Sequence, residues 1–272
     1  MIVANFGLKY TLHRIVMAGY QLVDVGRFHP VRERNMRALA STVDYIERHM
    51  TNAIGLETQK DLINYALRNV TVVGGYYLEF GVFSGGTIRY IAKRAPKAEI
   101  HGFDSFEGLP ESWAGHHLAS QAFSRKGRLP RVPSSVTLHK GWFKNTIPVW
   151  RGRAVGPIAF MHIDCDIYSS TVDILQGVGD LLQAGTIILF DEYFNYPEWR
   201  RHEFKAWQEF VAEHDISYEY LGFARQQVLL RVTSIGTPVL FERTVAASEQ
   251  NQVERTSTAV GTFIEAPPLA AD

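Results

Sequence analysis

Residues Tyr77–Thr87 read YLEFGVFSGGT: a short apolar run, a glycine at 81, then a glycine pair ahead of TIRYIAKRA, whose apolar residues fall at helical spacing. The stretch is a strand, a turn and a helix start. Glu79 stands at the strand end, and Gly81, Gly85 and Gly86 free the backbone to turn and to approach a ligand closely. The dinucleotide fingerprint is absent, because that pattern needs glycines two and then three apart, whereas Gly81 is followed by Val82 and Phe83. Taken alone, the turn fits a ligand loop and a merely tight connection equally well.

Downstream the same alternation continues: EIHGFD, SVTLHKG, IAFMHID, a helix over STVDILQGVGDLLQ, TIILFD, a helix over HEFKAWQEFVAEH, then ISYEYLGF and QQVLLRV. Strands alternating with helices define an α/β chain with a mostly parallel sheet and helices on both faces. The last two strands follow one another through GFARQ, so the sheet ends in an antiparallel pair. Upstream, RERNMRALASTVDYIERHM and GLETQKDLINYALRNV carry helical periodicity, giving two amphipathic helices joined near Gly55.

Composition narrows the partner. The chain of 272 residues has 28 basic and 28 acidic side chains, so nothing suggests a grip on nucleic acid or an anionic membrane. A small or neutral molecule is expected instead. One cysteine excludes an internal disulfide framework and any Cys-rich zinc site, and fits a cytoplasmic setting. The opening MIVANFGLKYTLHRIVMAGYQLV is interrupted by Lys9, His13 and Arg14 and reads as neither signal peptide nor membrane span. Residues 243–272 are small, polar and weakly periodic, the composition of a mobile or loosely docked tail.

The chemistry gathers where strands end, as it does in open α/β sheets. Asp104 ends the strand after Glu79's and either accepts from the two hydroxyls of a ribose or serves as a helix N-cap or turn aspartate. Five segments in order, EFGVFSGGT, GFDSFEGLPESW, HKGWFKNTIP, HIDCDIYSST and LFDEY, together resemble the S-adenosylmethionine-dependent O-methyltransferases of the macrocin type, which tailor sugars on macrolides and related natural products. The resemblance spans Tyr76 to Arg231. It implies a Rossmann-like class I methyltransferase with seven strands over residues 71–242, preceded by a helical extension over 1–70 that covers substrate or makes an oligomer contact. It further implies that the loop from Gly81 to Thr87, including Ser84 and Gly85 and entered through Phe80, holds the methionine end of the cofactor. Glu79 would face its amino group, Asp104 the ribose, and Ser105, Phe106 and Trp142 the adenosine. For Phe106 and Trp142, core packing is the alternative to ring stacking.

Asp164 ends one strand and Asp191 and Glu192 end the next, so in a parallel sheet these acids meet at one edge beside the cofactor's sulfonium. Three hard oxygen ligands with open positions suit Mg²⁺ or a similar cation; helix capping, or pairing with an arginine such as Arg200, is the competing role. Catechol-type O-methyltransferases have a comparable acid and acid pair, but the lysine they place three residues after the first ligand corresponds here to Ile167. Asp164 or a histidine, His202 above all, would take the acceptor's proton; His162 shares Asp164's side of the sheet, and both histidines have packing or solvation as their alternative. Asp166 either supports the metal or caps the helix at YSST. Cys165, flanked by two aspartates, is a poor nucleophile and is expected to pack beneath the sheet.

The expected activity is metal-assisted methylation of a hydroxyl on a small polar acceptor, a natural-product sugar first, with a catechol-like phenol, another saccharide, or a non-catalytic nucleotide-binding domain as alternatives. A homo-oligomer is implied by the resemblance. The segment ESWAGHHLASQAFSRKGRLPRVP, long for its connection, is a candidate lid.

Overall fold

The structure is a computed structural model that describes residues 29–114 and 123–236. The expected tail over 243–272, the opening segment and the middle of the candidate lid lie outside the described residues.

The first helix, α1 (Pro30–His49), starts with proline at its first position, and His29 accepts the Val31 N–H on its ring. Proline fits there because it lacks only an amide that would be orphaned anyway. Helix α2 (Gln59–Asn69) is capped by Thr58, whose hydroxyl accepts the Asp61 N–H. Six parallel strands with their crossovers follow the same direction: β2 (Tyr76–Phe80), β3 (Ile100–Asp104), β4 (Val136–Lys140), β5 (Ile158–Ile163), β6 (Ile187–Phe190) and, beyond an intervening strand, β7 (Ile216–Ala224). Strand β8 (Gln227–Ile235) runs against both β6 and β7. With β1 at Ile54–Gly55, the spatial order is β1-β7-β8-β6-β5-β2-β3-β4.

All seven expected strands form, and an eighth joins them. Strand β1 (Ile54–Gly55) lies on the outer edge of β7, with Ile54 opposite Gly222 and Gly55 opposite Phe223. Two residues carry no readable period, so the stretch reads only as a junction between helices. A further helix, α4 (Phe143–Arg151), was not expected. It holds Pro148 in its interior and buries just Ile147 and Trp150, which leaves too few turns to display a helical stripe.

Two apolar layers flank the sheet. Helices α4, α5 (Tyr168–Val178) and α6 (Glu203–Glu213) close one, with Ile174, Leu175, Trp207 and Phe210 against Phe80, Phe103, Ile188 and Phe190. Helices α2 and α3 (Gly86–Arg94) close the other, with Leu62, Ile63, Ile88 and Ile91 against Ile100, Phe160, Ile187 and Leu189. Strands β5 and β6 are buried along their whole length, as strands covered on both faces must be. Each large aliphatic or aromatic side chain buried this way contributes about 1.5–3 kcal/mol. Helix α1 is tied in by hydroxyls: Tyr45 and Tyr193 both bond Tyr220, and Gln208 of α6 donates to Tyr193 and Tyr218.

The chain steps outward from β2 through β3 to β4, then returns to set β5 on the other side of β2. A crevice therefore opens at the carboxyl ends of β2 and β5, the position at which open α/β sheets take ligands.

Candidate active site

At this switch point Gly81 turns the chain with φ of 95°, and a β-carbon there would lie 1.7 Å from the Asp164 carbonyl oxygen. Glycine is what lets the β2 turn touch the end of β5. The contact is stitched by the Asp164 N–H donating to the Phe80 carbonyl at 2.8 Å and the Gly81 N–H donating to Phe103 at 2.9 Å. Asp104 organises the rest of the loop, its carboxylate accepting from Val82 N–H (2.9 Å), Phe83 N–H (2.6 Å) and Phe106 N–H (2.6 Å). The turn role raised for Asp104 is thus filled, and the residue also faces a cavity of about 480 Å³. That size is in the range of small-ligand and cofactor sites.

Gly81, Asp104, Ser105, Trp142 and Asp164, all singled out from the sequence, line this cavity. Others do not. Phe106 is wholly buried among Ile88, Ile91 and their neighbours with φ of 58°, so packing is its role. The Phe80 ring stacks on Phe103 inside the core, 4.9 Å between centroids, leaving only its backbone near the site. Ser84 is exposed, Thr87 is half-buried, and Gly85 serves as the left-handed N-cap of α3; none of the three is on the cavity wall. The wall includes Asp166, raised from the sequence as a metal support or a cap, and residues that the sequence reading does not single out: Phe143 and Lys144 on α4, and Ser169, Ser170 and Asp173 on α5. The YSST run, a polar helix start directly after a site strand, was the available signal for the serines.

Beneath the cavity lies a group of buried acids. Asp164, Asp166 and Glu192 can each place a carboxylate oxygen within 4.8 Å of the others, and His162, Asp164 and Asp191 can do the same with a ring nitrogen. Asp164 belongs to both sets. The expected trio of Asp164, Asp191 and Glu192 therefore arrives as two groups that share Asp164: one adds Asp166 beside Glu192, and the other sets Asp191 beside His162 at 3.6 Å, with the Asp191 oxygen also accepting from the Gln59 amide. Asp166 is not a cap. Ile167 is the N-cap of α5 and makes no side-chain capping bond, while a φ of 69° at Asp166 swings its carboxyl toward Glu192 and the cavity.

Among the described residues, no lysine or arginine forms an ion pair with these acids. Burial, and then the charge of Asp191, push Asp164 and Glu192 well above the usual carboxylate range. Burial and Asp191 likewise hold Asp166 at about 7. Asp191 goes the other way: burial would raise it, but His162 and the hydrogen bonds from its neighbours pull it below the ordinary value. His162 is raised despite burial, because Asp191 lies on one side of the ring and Glu79 on the other. Burial raises Glu79, and neither of its oxygens has a hydrogen-bond partner.

These features fit a divalent cation. The donors are hard oxygens, Glu192 Oε2 is buried without a partner, and no lysine or arginine among the described residues pairs with the acids, which leaves His162 to relieve only part of their repulsion. Glu79's orphaned carboxylate similarly fits an ammonium group, and Asp104 a pair of hydroxyls. His202, expected as a proton acceptor, is outside the cavity wall. Its Nε2–H donates to the Ala114 carbonyl at 2.8 Å, and burial lowers its pKa; it holds the start of the β3–β4 connection. Cys165 packs with its sulfur 3.4 Å from the Thr171 hydroxyl, and burial raises the thiol well above its usual range, as expected of an inert cysteine.

A sheet of this order with its site at the β2–β5 switch point has the fold of a class I S-adenosylmethionine-dependent methyltransferase. The likeness extends to the solved structures of the calicheamicin methyltransferase CalS11 (TM-score 0.52, 20% identity, 78% of this chain and 90% of that one) and the O-methyltransferase NovP (TM-score 0.50, 23% identity, 64% and 79%). Residues 29–222 match the model of the macrocin O-methyltransferase (TylF) family, and the chain belongs to that family. It is similar to the 8-demethyl-8-(2,3-dimethoxy-α-L-rhamnosyl)-tetracenomycin-C 4'-O-methyltransferase of Streptomyces olivaceus, with 28% identity over 52% of this chain; the match spans about three fifths of that protein, 61% of its length. No helix among the described residues is long and apolar enough to cross a membrane.

Proposed function

We propose that this chain transfers a methyl group from S-adenosylmethionine to a hydroxyl of a glycosylated small molecule, with Mg²⁺ or a similar cation at the acid group formed by Asp164, Asp166, Glu192 and Asp191. The observation that carries the reading is the cofactor-sized cavity at the switch point resting on clustered buried carboxylates that, among the described residues, pair with no lysine or arginine and have His162 as their basic neighbour.

S-adenosylmethionine supplies a methyl group already activated by its positive sulfur. A divalent cation supplies Lewis acidity toward a hydroxyl oxygen, which in water is far too weak an acid to lose its proton. The protein's part is placement and proton transfer. Asp104, ordered by three backbone amides, presents its remaining lone pairs to a ribose diol. Glu79 offers both oxygens to the amino group. Asp164 and Asp166 both reach the cavity wall and are placed to receive the acceptor's proton as oxygen bonds to the methyl carbon and the sulfur–carbon bond breaks. Trp142, Phe143, Leu109 and Phe123 give the cavity an apolar wall that limits water near the reacting atoms. The rhamnosyl group in the named activity of the Streptomyces olivaceus relative favours a sugar hydroxyl over a phenol.

The test uses purified protein, methyl-labelled S-adenosylmethionine, Mg²⁺ and a panel of glycosides and phenols. Label is expected in a glycoside, and both a chelator and Asp191→Ala should abolish it while S-adenosylhomocysteine affinity in calorimetry stays within about threefold. Absence of S-adenosylhomocysteine binding at high micromolar concentration would overturn the enzyme reading, and full turnover in chelator would overturn the metal.

A further inference from the structure

Glu203 opens α6 and is completely buried. Its carboxyl group reaches the loops that leave two adjacent strands. Oε1 accepts the N–H groups of Cys165 and Asp166, each at 3.3 Å, after β5; Oε2 accepts the Glu192 N–H at 3.1 Å, after β6. One side chain thus straps together both segments that present the acids.

The loop it holds on the β5 side does not favour its own conformation. The Ile167 N–H donates to the Cys165 carbonyl at 2.8 Å across Asp166, whose φ is 69°. A two-residue hydrogen bond about a non-glycine centre of that sign is the rare, strained form of the γ-turn. It persists when the surroundings over-determine it, and here they include the Asp166 amide seated on Glu203. The turn is also what brings Asp166 round to the side of Asp164 and Glu192. Without the strap, relaxation of Asp166 to negative φ would carry its carboxyl away from the group.

We propose that Glu203 is a positioning residue that sets the separation of Asp164, Asp166 and Glu192 for a divalent cation, without itself contacting cofactor or acceptor. This rests on the metal part of the function proposed above. Cofactor binding is served by other groups, Glu79, Asp104 and the Gly81 turn, so the two affinities should separate when Glu203 is changed.

Calorimetric titration of the full chain with Mn²⁺ and, separately, with S-adenosylhomocysteine tests this. In Glu203→Gln, close in shape, the single carbonyl can serve one loop while the amide faces the N–H of the other, so Mn²⁺ affinity should fall at least tenfold with S-adenosylhomocysteine affinity within about threefold. If that variant does not fold, Glu203→Asp carries the same expectation, since one methylene fewer prevents it from spanning both loops. Unchanged Mn²⁺ affinity in a folded variant overturns the proposal, and so does a parallel loss of both affinities, which marks general loosening. A wild-type protein that takes up no Mn²⁺ removes the metal reading and this inference with it, whereas failure in the variants alone leaves that reading standing.

Discussion

Gly81 bears the tightest steric constraint in the site. Any side chain would meet the Asp164 carbonyl within covalent range, and its φ of 95° is unfavourable for other residues. Gly81→Ala must therefore separate β2 from β5 at their ends, at a cost of about 3 kcal/mol or more. Denaturant unfolding should register that loss, with S-adenosylhomocysteine binding weakened at least tenfold; wild-type stability would contradict the close approach. Gly81 was legible because a glycine between a strand and a helix has few other uses. Asp164, Asp104 and the acid pair were legible for a similar reason: charged residues ending apolar runs. Glu203 and Gln59 were not. A glutamate in the first turn of HEFKAWQEF looks like a dipole or solubility residue, and its real partners are amides 11 and 37–38 positions away. His202 misled because a histidine's usefulness depends on which way its ring faces, and here it faces Ala114.

Among the elements, β3 and β4 carry a pair of rings that adds a pH dependence to the fold. His101 Nδ1 and His139 Nε2 are 3.1 Å apart, so one donates and the other accepts. Burial, then the neighbouring His101, hold His139 down at about 4. An unfolded histidine titrates near 6.5. Between those values the unfolded chain gains a proton that the folded chain refuses, so His139's contribution is whole above pH 6.5 and declines as pH falls to about 4. Because the ring is half exposed, screening leaves this at on the order of 1 kcal/mol. His139→Phe preserves the stacking on Phe103 and should flatten that part of the curve; urea unfolding at pH 7.5 and 4.5 would expose the error if both proteins lost the same stability. Element by element, long apolar or periodic runs were readable. The exceptions, β1 and α4, are short pieces whose existence depends on a waiting sheet edge and on packing against α5, neither of which is written locally.

For the molecule as a whole, the site's place at the meeting of β2, β3 and β5 couples its occupancy to the stability of the central sheet. A ligand that binds only the folded chain stabilises it by about 2.7 kcal/mol at a hundredfold excess over its Kd, which for a domain of this size raises Tm by about 5–10 °C. S-adenosylhomocysteine should produce such a shift in a thermal melt, and no shift at concentrations far above the expected Kd would mean that it does not bind the folded chain.

Cys165 offers a practical consequence of the same placement. It is the lone thiol of the chain, buried between the acids at the cavity floor and shielded by Thr171 and Glu203. Alkylation by a thiol reagent then has a single address, and its rate counts how often the floor of the site breathes open. Without any engineered label, the protein carries a chemical clock for local unfolding at the place where ligands would quiet it.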